Sequence, residues 1–290
     1  VKRRKIFEKS IESVLLICAC VSVLAIIFIT IFIFVKGMPL FQDISLKDFL
    51  LNAKWNPTSE SDPQYGIAAF IVGSVYVTAG ALVIGVPFGL ACAIYLAEIA
   101  NTWMAKALKQ VIELLAGIPS VIYGFFGLVV ICPIVRELTD SSGLNIISAS
   151  FVLAIMILPT IVNISEVSLR AVPLEYKEGS LALGASHWQT IVKVLFPAAK
   201  SGIIASIVLG TGRAVGETMA VLMVAGNAPQ MPKALSDMVR TLTMNVITDM
   251  DYASGDHRVA LFTTGIVLFV FIMILNMIIT AITRKGTVKA

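Results

Sequence analysis

Arg213 and Glu217 are the residues whose types and spacing could do chemistry in an unfavourable place. They stand in SGIIASIVLGTGRAVGETMAVLMV, an apolar run expected to cross a bilayer over about 201–225. Arg213 falls about 12 residues into it, roughly 18 Å deep at 1.5 Å per residue. That is near the midplane of a hydrocarbon core about 30 Å thick. Glu217 is one turn on, so a continuous helix puts both charges on one face. Such charges cost several kcal/mol (about 3 or more) unless paired or wetted, and usually mark a pathway. A guanidinium is always charged, and its donor fork matches an oxyanion. Glu217 would balance Arg213 when no anion is present and weaken anion binding enough for release. A protonated anion could donate a hydrogen bond to that carboxylate and fully ionised sulfate could not, which favours phosphate. The alternative is a self-neutralising pair that only holds helices together. Gly202, Ser206 and Gly210 form one small-residue row, and Gly212 and Gly216 another; both read as packing surfaces. GTGRAVGET is not a Walker A loop, because Thr211 replaces its first glycine and Glu217 its lysine. No such loop occurs elsewhere, so ATP hydrolysis is not expected of this chain.

A second stretch is polar where the rest is apolar: EYKEGSLALGASHWQTIVKVLFP, Glu175 to Pro197. Its apolar residues are spaced for two short amphipathic helices hinged near Gly184 rather than for a bilayer span. A surface helix that keeps an apolar face offers it to headgroups or to a partner protein. Glu178 is followed by Gly179 and Ser180, three residues, Gly184, nine residues, then Val194, Leu195, Phe196 and Pro197. This resembles the EAA motif of ABC importer permeases, which runs Glu-Ala-Ala, three residues, Gly, nine residues, Ile-x-Leu-Pro. The departures at Gly179, Ser180, Val194 and Phe196 keep the small or apolar character. The resemblance implies a coupling helix that docks into a cleft on a separate ATPase subunit, with Glu178, Gly179, Ser180, Gly184, Val194, Phe196 and Pro197 as the coupling residues.

The elements that must position these two stretches are membrane helices. Of 290 residues 58% are hydrophobic and 14% charged, against about a quarter charged in soluble domains. Mean hydropathy is +0.92. An all-α polytopic bundle is expected, with six spans at about 14–35, 67–96, 111–135, 146–164, 201–225 and 259–282. They form a permease domain over 11–283, with tails at 1–10 and 284–290 and a coupling loop at 165–200. The first apolar run is longer than the 7–15 residues of a signal-peptide core, so it reads as a span. Gly80, Gly85, Pro87 and Gly89 predict a kink or close packing in the second span, and Pro119 predicts a break in the third. Trp55 reads as an interfacial anchor. With the N-terminus inside, inner segments hold 14 Lys and Arg against 7 outside, with Arg213 between. The positive-inside rule therefore puts both termini and 165–200 in the cytoplasm.

GTGRAVGETMAV, LLAGIPSVIYGFFGL and PFGLACAIYLAE are similar to the phosphate-specific ABC importer permeases of the PstC type, over about 55–282. That resemblance implies a type I importer permease fold in a bacterial or archaeal cytoplasmic membrane. It implies a related second permease, two cytoplasmic ATPase subunits, an extracytoplasmic phosphate-binding protein, no cofactor, and a role for Arg213 and Glu217 in phosphate passage. Molybdate or sulfate as the cargo remains open. An autonomous secondary transporter is the other alternative; it calls for sequence-related halves and further buried carboxylates, and neither is evident. His187 and His257 are expected on opposite sides of the membrane, too far apart to share a metal. Asp249, Asp251 and Asp256 read as a solvated acidic loop rather than a cation site. Cys18, Cys20, Cys92 and Cys132 read as packing residues, and no basic patch is interleaved with aromatics as nucleic acid would need.

Overall fold

A computed structural model describes residues 2–59 and 61–284, with side chains for 11–59 and 61–281. The segments expected as tails, 1–10 and 284–290, lie outside these apart from the backbone of 2–10 and 284. The chain is a helical bundle. Helix α1 (Lys2–Gly37) leads through a 3₁₀ turn (Met38–Gln42) into α2 (Leu46–Leu51) and a two-residue hairpin, β1 (Trp55–Asn56) and β2 (Gln64–Tyr65). The strands are antiparallel, with Trp55 opposite Tyr65. Helix α3 (Ala68–Ile94) then runs into a π-helical turn (Tyr95–Ile99). Helices α4 (Thr102–Gly117), α5 (Ser120–Phe126) and α6 (Cys132–Thr139) follow, with a second π-turn (Gly127–Ile131) before α6. Helix α7 (Ile146–Arg170) is the axis of the bundle. Short helices α8 (Leu174–Ala182), α9 (His187–Thr190) and α10 (Phe196–Ala198) surround a π-turn at Ile191–Leu195. The chain closes with α11 (Lys200–Gly216), α12 (Met219–Val224), α13 (Leu242–Asp249) and α14 (Gly255–Arg284).

Among the described residues, five stretches are long and apolar enough to cross a membrane: 11–42, 68–99, 120–139, 146–170 and 255–281. A sixth candidate is a bent pair, His187–Ala198 and Lys200–Gly216, at 71°. Helix α11 alone has 17 residues, about 25 Å, so it needs a continuation to span the hydrocarbon core.

The core forms around α7 because α7 is apolar on nearly all sides. Val152, Leu153, Ile157 and Ile161 are buried against Val77 and Ala81 of α3, Ala214 of α11, and Ala220, Val221 and Val224 of α12. Asn145 starts α7 by accepting the Ser148 N–H at 2.9 Å, an N-cap of the usual kind. Close approach of α3 needs glycine. A Cβ at Gly85 would stand 2.8 Å from Ile157 Cδ1, and one at Gly89 2.8 Å from Ile161 Cγ2. Pro87 sits inside α3, which remains a single helix of 27 residues. Helix α1 packs along α14, where Phe32 and Phe262 meet edge to face at 5.8 Å; the rest of its apolar surface is exposed.

Three expectations are corrected. The span expected at 111–135 is broken at Ile118–Pro119, and the crossing stretch is 120–139. The segment before it forms the amphipathic α4, started by the Asn101 side chain on the Met104 N–H at 2.9 Å. Helix α7 runs six residues past the expected end of the fourth span, which makes Glu166 a core residue. The run 201–225 is not one helix: α11 stops at Gly216 and α12 starts at Met219.

Candidate functional site

Glu217 sits at the break in that run. Its backbone is extended, with φ −73° and ψ 127°. Glycines at 210, 212 and 216 weaken the helix leading to it. The Glu217 carbonyl accepts the Thr243 hydroxyl at 3.3 Å, and its carboxylate accepts the Ala220 N–H at 3.3 Å. Glu217 thus caps the first turn of α12, where a negative charge is favourable. This corrects the expectation of two charges one helical turn apart on one face.

Arg213 is on the exposed side of α11. Its Nη1 donates to Thr160 Oγ1 of α7 at 3.3 Å. Among the described residues no carboxylate lies within the 4.0 Å ion-pair distance of its guanidinium, so the self-neutralising pair is not formed.

The two small-residue rows have different roles. Gly202 faces Ser168, Gly210 faces Ile161, and Ser206 Oγ meets Ser165 Oγ at 2.8 Å; this row seats α11 on α7. The second row faces nothing. A Cβ at Gly212 or Gly216 would meet no atom within 4 Å. Arg213 and Leu209 lie on this same uncovered side. A permanently charged fork on a small-residue surface can accept an oxyanion or a neighbouring helix at close range.

The stretch from Glu175 to Pro197 stands out from the spans at one end of the bundle. Gly184 is left-handed, at φ +85°, and joins α8 to α9. Ser186 and Gln189 form a capping box that starts α9. Helix α8 has no buried residue. Glu178, Gly179, Gly184 and Pro197 are exposed; Ser180, Val194 and Phe196 are half-buried. Ser180 Oγ meets Thr190 Oγ1 at 3.0 Å, and Phe196 packs on the cluster of Leu96, Leu169 and Ile203. Leu183 is 91% exposed, and Leu174, Tyr176, Leu181, Trp188 and Val192 are exposed with it. Ile191 and Leu195 point inward.

Sequence reasoning missed two charged clusters. At the α8 end, Glu166 is 3% exposed. It takes Lys109 at 3.2 Å and Arg170 at 2.8 Å, and Arg170 also donates to the Leu96 carbonyl at 2.6 Å. Beside it, Glu98 holds Lys177 at 2.6 Å and lies 3.8 Å from His187. The i,i+4 spacing of Glu166 and Arg170 was the signal available for the first cluster.

At the other end Asp249 is buried, not part of a solvated loop. It accepts from Trp55 at 3.0 Å, Arg240 at 3.3 Å and Tyr252 at 2.7 Å, with His257 at 3.3 Å. This bond to Asp249 pushes the Tyr252 phenol pKa above its ordinary value. Trp55 thereby ties the β1–β2 hairpin to the end of α13. Among the described residues no group of three or more His, Cys, Asp or Glu could hold a metal ion.

Residues 85–287 match the family model described as "Binding-protein-dependent transport system inner membrane component". The chain is 41% identical over 285 residues to the probable ABC transporter permease protein YqgH of Bacillus subtilis, covering 95% of this chain and 92% of that protein. It is 35% identical over 261 residues to the phosphate transport system permease protein PstC of Pasteurella multocida, covering 82% and 81%. Its fold is similar to that in the crystal structure of a bacterial ABC transporter involved in the import of the acidic polysaccharide alginate. That match has a TM-score of 0.64 at 15% identity, over 97% of this chain and 99% of the other. An inward-facing MetNI methionine ABC transporter gives a TM-score of 0.57 at 21% identity, over 77% and 95%. The family match, the 41% identical relative and the all-α bundle of five or six apolar crossings agree: the chain belongs to the family of inner-membrane components of binding-protein-dependent ABC importers, as a membrane permease subunit.

Proposed function

We propose that this permease forms one half of a transmembrane pathway for inorganic phosphate. Arg213 carries the proposal: a guanidinium without a carboxylate partner among the described residues, on an uncovered surface of small residues. Relatives named as phosphate transport permeases, from Pasteurella multocida and Haemophilus influenzae at 35% identity, support phosphate as the anion. The uncovered side of α11 faces a second, related permease across the path. Glu217, held at the start of α12 by the Ala220 N–H, is in this reading the carboxylate to which a protonated phosphate donates further along the path and against which it is released.

Two cytoplasmic ATPase subunits supply the energy, and an extracytoplasmic phosphate-binding protein supplies the cargo. The exposed apolar surface of α8 and α9, with Glu178, Gly179, Ser180, Gly184, Val194, Phe196 and Pro197, is the seat for one ATPase. Both termini are cytoplasmic in this reading, on the basic-residue bias. The test is Arg213→Gln in the assembled importer. Phosphate uptake is expected to collapse while the ATPase subunit still co-purifies. Normal uptake by that variant, with the ATPase present, would sink the site.

A further inference from the structure

We infer that Glu98 is the positioning residue through which movement of the ATPase-docking element reaches the membrane core. This rests on α8 being that element, as proposed above. Helix α8 has no buried residue, so it lacks an apolar seat of its own. An open cleft of about 330 Å³ lies between it and the spans, lined by Glu98, Leu169, Arg170, Leu174, Lys177 and Leu195. The Lys177–Glu98 pair crosses this cleft at 2.6 Å. His187, at the start of α9, approaches the same carboxylate oxygen at 3.8 Å. One carboxylate thereby bonds the helix before the Gly184 turn and lies near the start of the helix after it.

The other end of the connection is equally defined. Glu98 lies in the π-turn Tyr95–Ile99 that ends α3, and π-turns inside helices are frequent at functional sites. Its side chain is only 8% exposed. Two residues back, the Leu96 carbonyl accepts Arg170 of α7 at 2.6 Å. A displacement of α8 therefore pulls on the end of α3, the helix packed through its glycines onto α7. Lys177 is 30% exposed and the Glu98 side chain 8%, so water screens the pair mainly from the lysine side.

The experiment uses the whole importer in proteoliposomes, with the binding protein encoded beside it loaded with inorganic phosphate. Glu98→Gln, Lys177→Gln, Lys177→Arg and the exchange Glu98→Lys with Lys177→Glu are compared. In Glu98→Gln and Lys177→Gln, basal ATP hydrolysis and co-purification of the ATPase are expected to persist. The rise in hydrolysis caused by the loaded binding protein is expected to fall at least about five-fold. Lys177→Arg and the charge exchange are expected to restore most of that rise. A full rise in both neutralised variants overturns the inference. So does loss of the ATPase subunit from the Lys177→Gln complex, since the pair would then be a static brace. Absence of any ATPase from the wild-type complex would instead defeat the docking role of α8 itself.

Discussion

Arg213 and Asp249 show how differently a charge is treated in the middle and at the end of this bundle. Asp249 is surrounded by four donors, one of them the Arg240 guanidinium, whose side chain is 11% exposed. Asp249→Asn removes the counter-charge and leaves that guanidinium buried, which costs about 3–5 kcal/mol. Thermal unfolding in detergent is expected to move down sharply, with Asp251→Asn, in the exposed neighbour, as the unaffected control. Glu217→Ala should cost about 1 kcal/mol through the lost cap on α12, and Glu217→Gln, which keeps an acceptor oxygen, less. The unusual position of Arg213 was legible from a charge in an apolar run. The turn of Glu217 away from it was not, because a hydropathy pattern does not show where a helix rich in glycine stops. The Asp249 cluster was invisible for another reason: Arg240, Tyr252 and His257 lie within nine residues of Asp249 but not on one helix with it, so no helical spacing shows it, and Trp55 comes from far along the chain.

At the scale of elements, glycine and proline decide most of what the spans do. The expectation of close packing by Gly85 and Gly89 holds against α7. A Gly85→Val side chain has no room there, so a loss of about 1–3 kcal/mol is expected in unfolding measurements on the purified chain. Gly184 is the opposite case. Nothing lies within 4 Å of a Cβ there, and its φ of +85° is the whole constraint. Gly184→Val should cost about 1–2 kcal/mol of backbone strain and change the angle between α8 and α9. Asn, which tolerates that conformation, should be nearly neutral; circular dichroism melts would separate the two. The break at Pro119 was readable, yet the span was placed too early. The second half of α4 is apolar enough to extend a hydropathy window, while its polar first half reads as a link. Only the cap at Asn101 and the break at Ile118–Pro119 separate α4 from the crossing helix.

At the scale of the whole molecule, the bundle is well packed on one side and open on another. The uncovered side of α11, with Arg213, and the exposed apolar surface of α8 and α9, with Glu175 and Glu178, join apolar area to exposed charge. An autonomous carrier would keep ionisable groups along its own interior. Here the buried carboxylates Glu98, Glu166 and Asp249 lie near the ends of helices, each held by cationic side chains, and Arg213 faces outward. The measurement that tests the account most directly is uptake of labelled phosphate by cells lacking their own phosphate importers and expressing this chain with its genomic neighbours. Unlabelled sulfate and molybdate serve as competitors. ATP-dependent phosphate uptake that neither competitor reduces is the predicted result. No phosphate uptake from a verified, assembled complex would contradict the assignment of phosphate to the Arg213 pathway.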